Sequence, residues 1–203
     1  MNDIPYKMSF STGGLFHRES VKLAALYLEL GDWLLVRETT LNNNLLQTRT
    51  LSSSKRICRE VISRLKPLNH AELELLIEGN HQEQAYLLWL AVCRQYRFIA
   101  DFAIEVLHER YITLKSDLSP EDFTIFYNRK SEWHTELDDI RPTTLNKLRQ
   151  VLFKILREAE LLATNNVIIP AMLGPRLLAL ISHDKPEDVL YFPIFESDLK
   201  GLL

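Results

Sequence analysis

Residues 45–66, LLQTRTLSSSKRICREVISRLK, carry six basic side chains against one acid, Glu60. Phosphate oxygens are the natural ligand of such a segment. Three consecutive serines, Ser52, Ser53 and Ser54, add hydroxyl donors, and as candidate N-caps they set the free amides and positive dipole end of a helix beside the cations. With 100° between residues, Ile57, Cys58, Val61, Ile62 and Leu65 share one apolar arc. Lys55, Arg59 and Lys66 then cluster on the flank opposite Ile57, Arg56 lies next to them, Arg64 projects from a separate edge, and Arg49 joins from upstream. Docking on a nucleic-acid backbone is one reading of this ridge; an ordinary solvated helix face is the other.

A second basic stretch, 141–157, holds five basic side chains and no acid. Lys147, Gln150, Lys154 and Arg157 fall on one face, opposite the stripe of Leu148, Leu152 and Ile155. The turn at Asn165 and Asn166 and the β-branched run Val167, Ile168 and Ile169 follow. Together they would form a winged-helix arrangement, or simply an amphipathic helix before a stray hairpin.

Other constellations lead less far. The segment SFSTGG (residues 9–14) precedes a helix and would offer backbone amides to an anion, but it lacks the lysine and spacing of a P-loop. The histidines at 17, 70, 81, 108, 134 and 183 show no metal-ligand spacing. Glu132, Glu136, Asp138 and Asp139 form an exposed polar junction without apolar shielding to separate their pKa values. No nucleophile motif or dinucleotide loop accompanies them, so no catalytic residues, metal or cofactor are expected. Trp33, Trp89 and Trp133 read as packing residues.

The elements that must position these residues are helical. Val21, Ala24, Ala25 and Leu28 make a stripe ended by Gly31, and Asp32 caps a second helix ending at Asn42, Asn43 and Asn44. The basic helix spans 52–66, with Pro67 beyond it. Asn69 and Glu72 resemble a capping box for a short helix stopped by Gly79. A long central helix follows over 82–111, apolar on nearly all sides at first. Ser119, Pro120, Glu121 and Asp122 open the next, reaching about His134. Thr143 or Thr144 caps the second basic helix, over 143–158 and on to about Leu162. Pro175 opens a last short helix to Ser182. The fold class is therefore all-α: a compact bundle of about seven to nine helices with helix-turn-helix-like elements and at most one short strand or hairpin near 164–170. Two regions, 1–116 and 117–203, either form lobes sharing a core or a single domain.

Composition sets the class. Hydrophobic residues are 46% and charged residues 25% of 203, the balance of a globular chain. Cys58 and Cys93 lack CxxC spacing, and the first residues lack the apolar run of a secretory signal, so a reducing cytoplasm is expected. The longest apolar run, residues 85–93, is far short of the roughly 20 residues a membrane span needs. The net charge of −3 conceals segregation: residues 1–66 sum to +4, 67–140 to −8 and 141–203 to +1.

Four ordered blocks, SFSTGGLFHRES (9–20), LLQTRTLSSSKRICREVISRL (45–65), ELLIEGNHQEQAYLLWLAVCRQYRFIADFAIEVL (74–107) and LRQVLFKILREAELL (148–162), resemble the BrxA proteins of bacterial BREX systems. The likeness runs from about Ser9 to Pro193. It implies a small helical component of a phage-exclusion system that also contains a DNA methyltransferase, ATPases and a phosphatase-like protein, with a fold similar to the RNA-binding NusB. It offers no catalytic residues. Its RT-x-SSSKR-x-x-RE block falls on Arg49, Thr50, Ser52 to Arg56, Arg59 and Glu60, coinciding with the ridge. The nine residues from Asn42 to Thr50 exceed the turn of a helix-turn-helix. The expected function is a non-enzymatic nucleic-acid-binding subunit, for DNA with RNA possible, that meets other BREX proteins. The alternative is an adaptor that assembles such proteins through the acidic region or the ridges.

Overall fold

The computed structural model describes residues 5–195. Apolar periodicity and well-formed caps set out most of its helices. In α1 (His17–Leu30), Leu23 and Ala24 face inward, and Gly31 ends it at φ 69°. Asp32 caps α2 (Trp33–Asn42), its side chain accepting from the amide of Leu34. The basic helix α3 (Leu51–Leu65) follows residues 43–50 and packs on α2. Reciprocal capping boxes start α4 (His70–Glu78) at Asn69 and Glu72, and α5 (His81–Gln95) at Asn80 and Glu83.

The helix expected over 82–111 is not one rod. Tyr96, extended at φ −123° and ψ 93°, separates α5 from α6 (Arg97–Phe102). A π-helical turn (Ala103–His108) then leads into α7 (Glu109–Ile112). Neither proline nor glycine marks the break. Tyr96 is instead held by tertiary contacts: its hydroxyl donates to Glu60 at 2.5 Å and its ring meets Phe10. This division brings the count to ten α-helices among the described residues.

Ser119 caps α8 (Pro120–Ser131), which ends short of His134. The second basic helix is α9 (Pro142–Glu158); it begins with Pro142 in its first turn and Arg141 as N-cap, so neither Thr143 nor Thr144 caps it. Proline fits there because a first-turn amide has no intrahelical acceptor. After α9 the chain makes isolated antiparallel bridges, Leu162 with Ile168 and Asp117 with Val167. The β-branched run thus pairs on both sides, pinning the loop around Asp117 to the turn at Asn166. Last come α10 (Pro175–Asp184) and a 3-10 segment (Pro186–Tyr191).

At the centre lies α5, buried from Ala85 to Cys93 and packed against α1, α3, α4, α6, α9 and the 3-10 segment. A continuous core runs from Tyr6 to Ile194, so it crosses the expected boundary at 116/117. A buried ionic knot closes it at one side: Arg94 donates to Glu72 at 2.7 Å and to Asp188 at 2.6 Å, and both carboxylates are fully inside. Trp89 is buried and Trp33 is half-buried, stacked on Tyr27 at 4.0 Å. Trp133, expected in the core, is 76% exposed, because α8 ends before it and the following turn points it outward. No helix among the described residues is long and apolar enough to cross a membrane.

Candidate nucleic-acid interface

The α3 ridge stands as its periodicity requires. Lys55, Arg56, Arg59 and Lys66 are exposed, as is Arg49 upstream, while Cys58, Val61, Ile62 and Leu65 are buried. The cap, however, is Thr50, whose hydroxyl accepts from the amide of Ser53 at 3.1 Å. The serines therefore occupy the first turn instead of preceding it. Ser52 is exposed, Ser53 is half-buried and bonded to Thr50, and Ser54 faces the core at 2% exposure. A helix end leaves its first amides without intrahelical acceptors, so those of Leu51 and Ser52 are available beside Lys55. Arg64 leaves the ridge altogether. It is 3% exposed, donates to Glu60 and to the carbonyl of Gly14, and lies between the rings of Phe16 and Tyr96.

Gly14 belongs to an N-terminal strap, residues 5–16, of which the sequence singles out only the segment 9–14. Its burial alternates, with Tyr6 and Phe10 inside and Lys7 and Ser9 outside, the period-two signature of an extended chain. The strap is pinned along its length. The hydroxyl of Tyr6 donates to Asp101 at 2.5 Å and its amide to Glu136 at 2.6 Å, Phe10 packs on Tyr96 and Phe98, and Arg64 holds Gly14. Gly13 sits at φ 72° under the ring of Phe16, where a Cβ would lie 2.0 Å from a ring carbon.

Two hollows flank this strap, and the first is basic. The first, about 530 Å³, lies between the strap and α3 and is lined by Lys7, Ser9, Ser11, Thr12, Arg56 and Arg59, with Glu60, Ser63 and Tyr96 at its base. Burial first, and then the bond to Glu60, push the Tyr96 phenol upward, so it stays a donor. The second, about 590 Å³, continues from Gly13 and Gly14 to Lys154 and Arg157 on α9, with Arg18, His17 and His81. It also contains Glu19, Glu158 and Glu160, which equal in number its cations Arg18, Lys154 and Arg157. Burial, then the charge of His81, lower the pKa of His17.

The two ridges thus share one feature, the strap, but differ in freedom. Among the described residues Lys7, Arg56 and Arg59 pair with no carboxylate, whereas Lys154 approaches Glu158 at 3.6 Å and Arg157 donates to Asn166 at 2.7 Å. Lys147 is exposed and lies outside both hollows. The anion that the glycine pair accommodates comes from within the protein: Glu158 accepts from the amide of Leu15. The expected wing is short and tied back, its Asn166 bonded to Arg157 and its edge to residues 116–118.

These features define an all-α protein whose described residues hold no group of three or more His, Cys, Asp or Glu able to bind a metal, and which presents two hollows astride a pinned strap, one basic and one of mixed charge. The chain belongs to the BrxA family: a sequence profile of that family matches residues 4–185. It is 26% identical over 154 residues to a BREX protein BrxA of Bacillus cereus (strain H3081.97), covering 76% of this chain and 77% of that one. It is 28% identical over 147 residues to a BREX protein BrxA of Escherichia coli O9:H4 (strain HS), covering 72% and 69%. It is thereby a BREX component. The fold matches an uncharacterized protein from Magnetospirillum magneticum with a TM-score of 0.78 at 19% identity, over 93% of this chain and 97% of the other.

Proposed function

We propose that the chain is a non-catalytic nucleic-acid-binding subunit, with duplex DNA as its ligand, acting in the cytoplasm beside other BREX proteins. The observation that carries this reading is the α3 ridge: Lys55, Arg56 and Arg59 stand exposed, without carboxylate partners among the described residues, beside the first-turn amides of Leu51 and Ser52. Such groups neutralise phosphates and release counterions, giving affinity with limited sequence preference. The α9 ridge of Lys147, Lys154 and Arg157 extends the surface across the strap.

A salt titration of duplex DNA, single-stranded DNA and RNA in parallel tests it. The Lys55/Arg56/Arg59 triple alanine variant, shown folded by circular dichroism, is expected to lose at least about tenfold in duplex affinity and to lower the salt slope by about two to three. Equal affinity and slope would remove the site. Preference for RNA over duplex would replace the ligand.

A further inference from the structure

We infer that the hollow between the strap and α3 is a receptor for a terminal phosphate, a phosphomonoester dianion, and not only a stretch of surface for a continuous backbone. The inference rests on the nucleic-acid reading and sharpens its ligand.

Charge comes first. Lys7, Arg56 and Arg59 converge on the hollow, and its one acid, Glu60, is already engaged by Arg64 at 2.9 Å and by the Tyr96 hydroxyl at 2.5 Å. Arg64, its guanidinium 5.9 Å from the Tyr96 ring centre, offsets the charge of Glu60 and leaves the three cations as the excess. Three cations without a carboxylate partner among the described residues, Lys7 held only by the neutral amide of Gln95, exceed what a single diester needs and suit a group carrying close to two charges.

Shape points the same way. The strap forms one wall, through Lys7, Ser9, Ser11 and Thr12, and α3 the other, while buried Tyr96 closes the bottom. A phosphate within a duplex must enter and leave along its strand. A phosphate at an end needs only one opening. Hydroxyls of Ser11 and Thr12 on the strap supply neutral donors for the extra oxygen. The volume is that of a small-molecule site, large enough for a terminal nucleotide. The walls are fixed in advance, because Tyr6, Phe10 and Gly14 anchor the strap.

The test compares one blunt duplex with 5′-phosphate ends, 5′-hydroxyl ends, or ends closed by hairpin loops. The wild-type protein is expected to prefer phosphate ends by about fivefold, and to lose that preference at pH 5, where a monoester carries about one charge. Lys7→Ala should bring the ratio near one, while Lys55→Ala weakens both duplexes and keeps the ratio. Equal affinity for the phosphate and hydroxyl ends, or a ratio that survives Lys7→Ala, would overturn the inference and leave general DNA binding intact. If no duplex binds at all, the nucleic-acid reading fails on its own. Calorimetry with inorganic pyrophosphate then decides for the hollow: heat abolished by Lys7→Ala supports a receptor for free phosphates, and absence of heat overturns it.

Discussion

The carboxylate of Glu158, at the end of α9, accepts a hydrogen bond from the amide of Leu15 at 2.5 Å, and one of its oxygens lies where a Cβ on Gly14 would be, 2.2 Å away. One glycine and one glutamate thereby join the first residues of the chain to the second basic helix. Arg64 grips the same turn from α3 through the carbonyl of Gly14. The strap is thus held by opposite charges from two helices, and it fixes the spacing between the two ridges.

Gly14→Ala should therefore expel the Glu158 carboxylate. The expected cost is about 1–3 kcal/mol, that of a charge-assisted hydrogen bond and a buried amide left unpaired. Because the added methyl meets only the tip of the Glu158 side chain, the damage passes through that contact. Glu158→Ala alone should cost a similar amount, and the double variant little more than either. Urea denaturation of the four proteins measures the coupling. Full additivity would show that Gly14 is required for another reason.

Arg94 supports the opposite side. Its guanidinium joins Glu72 of α4 to Asp188 of the 3-10 segment in a site closed to water. Removing it strands two buried carboxylates, so Arg94→Ala should destabilise by about 3–5 kcal/mol. Arg94→Lys should recover little, since an ammonium cannot reproduce the planar fork. Thermal denaturation of both variants checks this, and a mild Lys variant would show that charge alone suffices.

Glu136 gives a pH signature. Burial opposes its ionisation, but the amide of Tyr6, its own backbone and His134 outweigh burial and hold the carboxyl below its ordinary value of 4.5. A lowered folded pKa means that the ionised form stabilises the fold. That contribution is complete above the unfolded value and is lost as pH falls through the lowered one. The melting-temperature gap between wild type and Glu136→Gln should close progressively as pH falls below about 4.5. A gap that widens in acid would reverse the sign.

Much of this architecture is legible in the residues. Capping chemistry at Asp32, Asn69 and Ser119 and the inward stripe of α3 appear in the structure where local rules place them. What escaped is tertiary. The break at Tyr96 has no proline or glycine because Glu60 and Phe10, distant in sequence, hold that ring. Ser54 reads as a donor until the cap shifts to Thr50 and rotates it inward. Lys7 lies in an alternating segment too short and polar to stand out, although Tyr6, Met8 and Phe10 against Lys7, Ser9 and Ser11 carried the signal. Arg64 and Arg59 are indistinguishable by type, yet only the fold brings Gly14 to one of them.

Trp133 supplies an optical check on the surface. Trp89 is enclosed and donates to the carbonyl of Tyr191, and Trp33 is stacked on Tyr27. Iodide should therefore quench mainly Trp133, and Trp133→Phe should remove most of the quenchable fluorescence while leaving the melting temperature within about 2 °C, as expected of an exposed position. Persistent quenching in that variant would place a second indole in solvent.

The two ridges should contribute unequally to polyanion binding. Lys154 shares its surroundings with Glu158, and Arg157 is engaged by Asn166 and lies over Phe153, whereas Lys55, Arg56 and Arg59 have no carboxylate partners among the described residues. A phosphate that recruits Lys154 or Arg157 must first displace an internal partner, and Glu19, Glu158 and Glu160 repel it. Lys154/Arg157 double alanine should thus weaken duplex binding by less than about threefold, against tenfold or more for the α3 triple variant. Neutralising the counter-charge should act in the other direction: Glu160→Gln, which leaves the Leu15 contact in place, should raise affinity and steepen the salt slope. Anisotropy titrations at several salt concentrations read both. If the α9 pair proves the more costly, the second hollow is the principal contact and the α3 ridge is the accessory.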